Sequence, residues 1–177
     1  MAKRVTFFGD RQALSNIALH HADLANSLRE YFNPLTPKLG TRFAGSSKAE
    51  LSAELSLRLD EIELSSSMTL LASVEASFKI DYLQRCQMRK KDANSRAFLE
   101  IYKKKERWAS LEEDIFGVWA ETSNEAKAII GELRGAFKFR HWLAHGRYWN
   151  PKLGRRYDFS GVYAIGDAAL DHFNLIT

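Results

Sequence analysis

The sequence predicts an all-α protein, an antiparallel helical bundle that ends in a short irregular aromatic tail. Three observations carry this expectation: apolar residues recur at steps of three and four along much of the chain, helix-start signals punctuate it at intervals, and strand-like alternation is nearly absent. A chain of 177 residues can enclose one hydrophobic core, and 45 % hydrophobic with 27 % charged residues is the balance of a folded domain rather than a disordered chain. Residues 1–177 therefore read as a single domain, with an N-terminal helix and loop over 1–45, a core bundle over 46–146 and a tail over 147–177.

The elements follow from local chemistry. Asp10 reads as the N-cap of a helix over about 11–32, and Pro34, Pro37, Gly40 and Gly45 form the clearest loop after it. Ser47 with Glu50 has capping-box spacing, in which each side chain satisfies an orphan amide of the first turn, and it opens a helix over about 48–64. Further helices are expected over about 67–90 and 94–107. Ser110 with Glu113 and Thr122 with Glu125 repeat the capping spacing before helices over about 111–121 and 124–144. Beyond Gly146 the aromatic residues Tyr148, Trp149, Tyr157, Phe159 and Tyr163 show no helical period. Residues 155–159 and 162–165, split by Ser160-Gly161, predict a small β-hairpin, and Asp167 reads as the cap of a last short helix.

Composition excludes several classes. The lone Cys86 permits neither an intramolecular disulfide nor a thiolate-rich metal site. Neither a signal-peptide core nor a stretch of ~18 consecutive apolar residues occurs, so a cytoplasmic protein without membrane association is expected. A net charge of +4 says little, but its distribution says more. Arg134, Lys138, Arg140, Arg147, Lys152, Arg155 and Arg156 follow one another with no Asp or Glu among them, a pattern that suits either phosphate or plain solvation.

One acid stands out. Leu64, Met68, Leu71, Glu75, Phe78 and Tyr82 share a helix face, which puts Glu75 where a core residue belongs. A carboxylate there needs a cationic or donor partner unless it lies at the wet edge of the face; Lys79, at i+4, can reach it or point to solvent. A second segment, Arg140-His141-Trp142-Leu143-Ala144-His145, concentrates a planar phosphate-binding fork and two proton-handling imidazoles at the end of an apolar helix. Five helical steps put Arg140 and His145 ~140° apart, so the helix must end or distort for them to act together. Gly146 is placed to let it do so. His141 and His145 have the i, i+4 spacing of a two-histidine metal site, but Trp142 stands where the zincin pattern needs Glu.

The Arg140 to His145 segment resembles the Arg-x4-His signature of the HEPN superfamily, in which a polar residue commonly follows the Arg, and Glu75 to Lys79 is similar to the Glu-x3-Lys/Arg pair that many of its members carry on an earlier helix. The resemblance covers roughly residues 64–146. It implies a homodimeric bundle with two such segments around one RNA cleft, and metal-independent endoribonuclease activity without a cofactor. By that resemblance RNA is cleaved by attack of its own 2′-hydroxyl: His145 moves the proton, Arg140 stabilises the charge, His141 is a second acid/base or a positioning residue, and Glu75 orients Arg140 or a histidine. Lys79, Arg147 and Tyr148 are the expected RNA contacts. The family setting is a toxin or phage-defence effector held by an antitoxin or regulatory protein. One HEPN toxin class has Tyr two residues after the His, whereas here Arg147 stands there and Tyr148 follows. The alternative expectation is a noncatalytic HEPN module that dimerises and binds RNA, a nucleotide or a partner protein.

Overall fold

The computed structural model describes residues 12–33, 35 and 42–176. These are helical throughout their regular structure: α1 (Leu14–Tyr31), α2 (Lys48–Met88), α3 (Ala93–Lys105), α4 (Phe116–Ala120), α5 (Asn124–Ala144) and α6 (Phe159–His172), with a 3-10 turn over Glu106–Trp108 and a π turn over Leu111–Ile115 before α4. No strand occurs among the described residues, and none of the described helices is long and apolar enough to cross a membrane.

α2 is the spine. Its 41 residues make a rod roughly 60 Å long, where two separate helices were expected. The serines at the expected break do not end it because their hydroxyls bond back inside the helix, Ser65 to the carbonyl of Ile62, Ser67 to that of Glu63 and Thr69 to that of Ser65. Cross-helix contacts give the directions. Gln12 meets Ser73 and His21 meets Glu63, so α1 runs antiparallel to α2, as does α5, where Arg140 meets Glu75 and Arg147 meets Glu61. α6 runs parallel to it, with Phe159 at Glu63, Gly166 on Leu70 and Val74, and Phe173 on Phe78.

The expected hairpin is α6. Asp158 accepts from the amide of Gly161 at 2.8 Å and caps it, while Asp167 lies inside the helix rather than at its start. Phe159, Val162, Gly166, Ala169 and Phe173 are all buried on its inner face. Two other starts differ by a residue or more. Ser123, not Thr122, caps α5 through the amide of Ala126, and α1 begins at Leu14 behind Ala13 with no side-chain cap, the expected cap Asp10 lying outside the described residues. At Ser110 half of the capping box forms: its hydroxyl accepts from Glu113, but Asp114 rather than Glu113 accepts the Ser110 amide.

The core runs between the C-terminal half of α2 and α3 to α6, around Phe78, Tyr82, Phe98, Phe116, Trp119, Phe137 and Phe173. No residue of α2 before Ser66 is buried, so that half of the spine has α1 as its main support.

Candidate functional site

Glu75 sits at the edge of the buried face, 21 % exposed, and each of its oxygens has a cation: Lys79 Nζ at 2.8 Å on Oε1 and Arg140 Nη2 at 3.0 Å on Oε2. The two partners come from different distances in sequence. Lys79 is one turn along α2, whereas Arg140 is brought by the antiparallel crossing of α5. The Arg140 guanidinium lies 5.8 Å from the Phe137 ring, with its Nε buried and without a partner among the described residues. This leaves the fork anchored at one corner and partly open to solvent. Met68, expected on the same inner face as Glu75, is 40 % exposed, because the face turns toward Leu70 and Val74.

His145 ends α5. The amide of Gly146 donates to the carbonyl of Leu143 at 3.2 Å and that of Arg147 to Trp142 at 3.1 Å, the paired bonds of a Schellman stop, with Gly146 at φ 79°. Arg147 follows in the same left-handed region at φ 58°, a conformation that costs a non-glycine residue about 1 kcal/mol, and Glu61 holds its guanidinium through bonds of 2.9 and 3.4 Å. His145 is the C-cap, with its backbone already off helical values at φ −95° and ψ 17°, and the expected approach to Arg140 makes no contact within one chain. His145 instead packs on His141, 4.3 Å between ring centres, and Trp149 lies 6.0 and 6.3 Å from the two rings. Among the described residues no hydrogen bond, ion pair or ring contact joins Arg140 to His145, and no third His, Cys, Asp or Glu joins the histidine pair into a metal-sized group.

Trp149 is the residue that sequence reasoning missed here. Its carbonyl accepts from the indole of Trp142 at 2.8 Å, which fixes the returning chain against α5 and seats the Trp149 ring on both imidazoles. The i, i+7 spacing of the two tryptophans, either side of a glycine stop, is the signal that could have found it. Of the expected RNA contacts, Lys79 and Arg147 are held by carboxylates, while Tyr148 is 83 % exposed beside Trp149. The wider basic stretch is likewise partly spent inside the fold: Arg134 bonds the carbonyl of Glu112 and Arg155 pairs with Glu132.

A second polar cluster carries no site expectation and is structural. Asp81 is fully buried and accepts from Arg85 at 2.7 Å and from the amide of Ile176 at 2.8 Å, while Arg85 also donates to the carbonyl of Asn174 and lies over Trp119. Burial pushes the Asp81 carboxyl above its usual range against these bonds. The cluster clasps the chain after α6 to the far end of α2. Cys86 beside it is buried, with its thiol pushed up to about 11 by desolvation, which disfavours the thiolate.

Comparison with protein-family models, with curated proteins and with solved structures finds no match to this chain.

Proposed function

We propose that the chain is a metal-independent endoribonuclease of the HEPN type, acting in the cytoplasm as a homodimer. The observation that supports this reading best is the Glu75–Arg140 ion pair, because it joins the two sequence elements on which the resemblance rests and presents a half-open guanidinium on the helix that ends in two stacked histidines. An Arg fork held by a carboxylate is pre-aimed at phosphate, and pre-aimed charge is worth a few kcal/mol at a phosphorane-like transition state.

In the proposed reaction a ribose 2′-oxygen attacks the adjacent phosphorus as His145 takes its proton. The bond from phosphorus to the 5′-oxygen breaks, and that oxygen leaves with a proton from a second acid, for which His141 is placed. A 2′,3′-cyclic phosphate and a 5′-hydroxyl result, with no change in oxidation state and no cofactor. Because no contact joins Arg140 to His145 within one chain, the reading uses two copies, with Arg140 of one chain facing His145 of the other across the cleft. Tyr148 then offers its exposed ring to a base, and Lys79 and Arg147 reach phosphate after exchanging their carboxylate partners. A toxin or phage-defence role under an antitoxin or regulatory protein is the biological setting this chemistry fits.

The separation of Arg140 from His145 within one chain favours a second reading, a noncatalytic HEPN-like module that dimerises and binds RNA, a nucleotide or a partner protein. Incubating the purified protein with total RNA in excess chelator decides between them. Cleavage leaving cyclic-phosphate ends supports the first; RNA that is bound and intact supports the second. Light scattering at micromolar concentration gives twice the chain mass of 20.2 kDa under both readings.

A further inference from the structure

Between α5 and α6 the packing is left open. Gly161, Ala164 and Ala168 present almost no side chain toward Ile129 and Glu132, and the segment Arg155–Tyr157 closes the end of the gap, leaving a cavity of about 420 Å³. Helices of this length normally interdigitate, so small residues on one side of a contact leave space that neighbouring side chains do not fill. The closing segment packs on α5. Tyr157 stacks on Phe139 at 5.3 Å with its phenol against Gly135, and the Arg155 guanidinium lies 4.8 Å from the centre of the Tyr157 ring.

The mouth carries charge. Arg155 pairs with Glu132 at 2.8 Å, and both are about half exposed. Arg156 makes no hydrogen bond or close ion pair among the described residues, although its charge helps to lower the Asp158 carboxyl, which is itself held by the α6 cap. With Glu132 and the capping Asp158 the two guanidiniums are balanced in charge, but Arg155 is spent on Glu132 and the Arg156 fork makes no bond among the described residues, above an apolar floor of Ile129, Ala164, Ile165 and Ala168.

We propose that this cavity is a binding site for a compact organic monocarboxylate, with a flat or branched apolar body on the Ala164–Ala168 floor and its carboxylate on the Arg156 fork beside Arg155. The one unbonded guanidinium fork matches the two oxygens of a single carboxylate. The cavity size is that of a small-molecule site. A free carboxylic acid and the C-terminal residue of a peptide share this chemistry. The site also has a line to the histidines, because the segment that closes it continues back to Trp149, which lies on both rings. An occupant that moves Tyr157 is expected to be felt along this connection at Trp149 and the two histidines.

The test is a calorimetric and NMR titration of the full chain with phenylacetate, as a free acid, and with N-acetyl-phenylalanine, as a peptide end, against phenylacetamide and acetate. One or both acids should saturate below about 10 mM, and the tighter one identifies the source. The amide, which keeps the body, and acetate, which keeps the charge, should each bind at least about tenfold more weakly than the tighter acid. Arg156→Ala and Ala164→Trp, both at exposed positions outside the core, should each weaken the acid about tenfold or more with melting temperature unchanged. The ring protons of His145 and Trp149 should move on saturation. Equal binding of acid and amide, no saturation by either acid, or an affinity untouched by Ala164→Trp would overturn the site; saturation without movement of those ring protons would overturn the link.

Discussion

Replacing Glu75 by alanine removes the one carboxylate that Lys79 and Arg140 share. The magnitude follows from exposure. Lys79 is 44 % exposed, so its pair has the value of a surface bridge, about 0.5 kcal/mol, and its loss matters little. Arg140 is 30 % exposed with Nε already buried and unpartnered, and losing Glu75 leaves a half-buried guanidinium with its best acceptor gone. That lies between the surface value and the roughly 3–5 kcal/mol of a broken fully buried pair, so about 1–2 kcal/mol is expected. The sum, about 2 kcal/mol, lowers the melting temperature of a domain this size by roughly 4–8 °C. A double-mutant cycle with Arg140→Ala isolates the cross-helix pair and should return a coupling of about 1 kcal/mol. Unchanged melting for Glu75→Ala, or a coupling of zero, would refute the claim that Glu75 holds Arg140, and with it the pre-aimed fork.

Other perturbations separate position from composition. Gly131 and Gly135 lie one turn apart in α5, but a Cβ at 131 meets nothing within 4 Å, whereas at 135 it comes 2.3 Å from the Tyr157 hydroxyl. Gly131→Ala should stabilise by up to ~1 kcal/mol on helix propensity, while Gly135→Ala should lose that gain and displace Tyr157, read by chemical denaturation and tyrosine fluorescence. Asp158 is held below its ordinary value of 3.8 by the amide of Gly161 and the hydroxyl of Ser160. A depressed folded-state pKa means stability present above 3.8 and lost as pH falls through the folded value, so Asp158→Asn should melt with a smaller acid-induced drop than the parent between pH 5 and the lowest accessible pH. Trp149→Ala removes the ring beside His141 and His145, and should move the NMR signals of both imidazole rings while leaving the core melt nearly intact.

The all-α class and most helix positions could be read from the sequence because capping chemistry is local: Ser47 with Glu50 forms the expected box, with reciprocal bonds of 3.2 and 2.7 Å. What escaped was tertiary. Ser65–Ser67 look like a break only until their hydroxyls find carbonyls within the same helix. α6 hides its period behind Gly166, which is buried because α2 approaches to 3.1 Å of where its Cβ would be, so a residue without a side chain occupies a core step. At the site, the need of Glu75 for a cation was legible from its place on a helix face, and the structure supplies two. The identity of the second, Arg140, could be anticipated only through the resemblance, since no local spacing relates α2 to α5. The turn of His145 toward Arg140 was expected from Gly146, but the Schellman stop redirects the chain after His145, whose ring rests on His141 one turn back.

In the proposed reaction Arg140 and His145 perform different parts of one metal-free step. The decisive measurement is single-turnover cleavage of RNA in excess chelator by the parent, Arg140→Lys and His145→Ala, with RNA binding measured on the same preparations. Cleavage by the parent is expected, with both variants inactive and His145→Ala still binding RNA, because an ammonium cannot replace the guanidinium fork and the imidazole is needed for proton transfer rather than for binding. Cleavage that vanishes with chelator and returns with zinc or manganese, or that survives in His145→Ala, would contradict it.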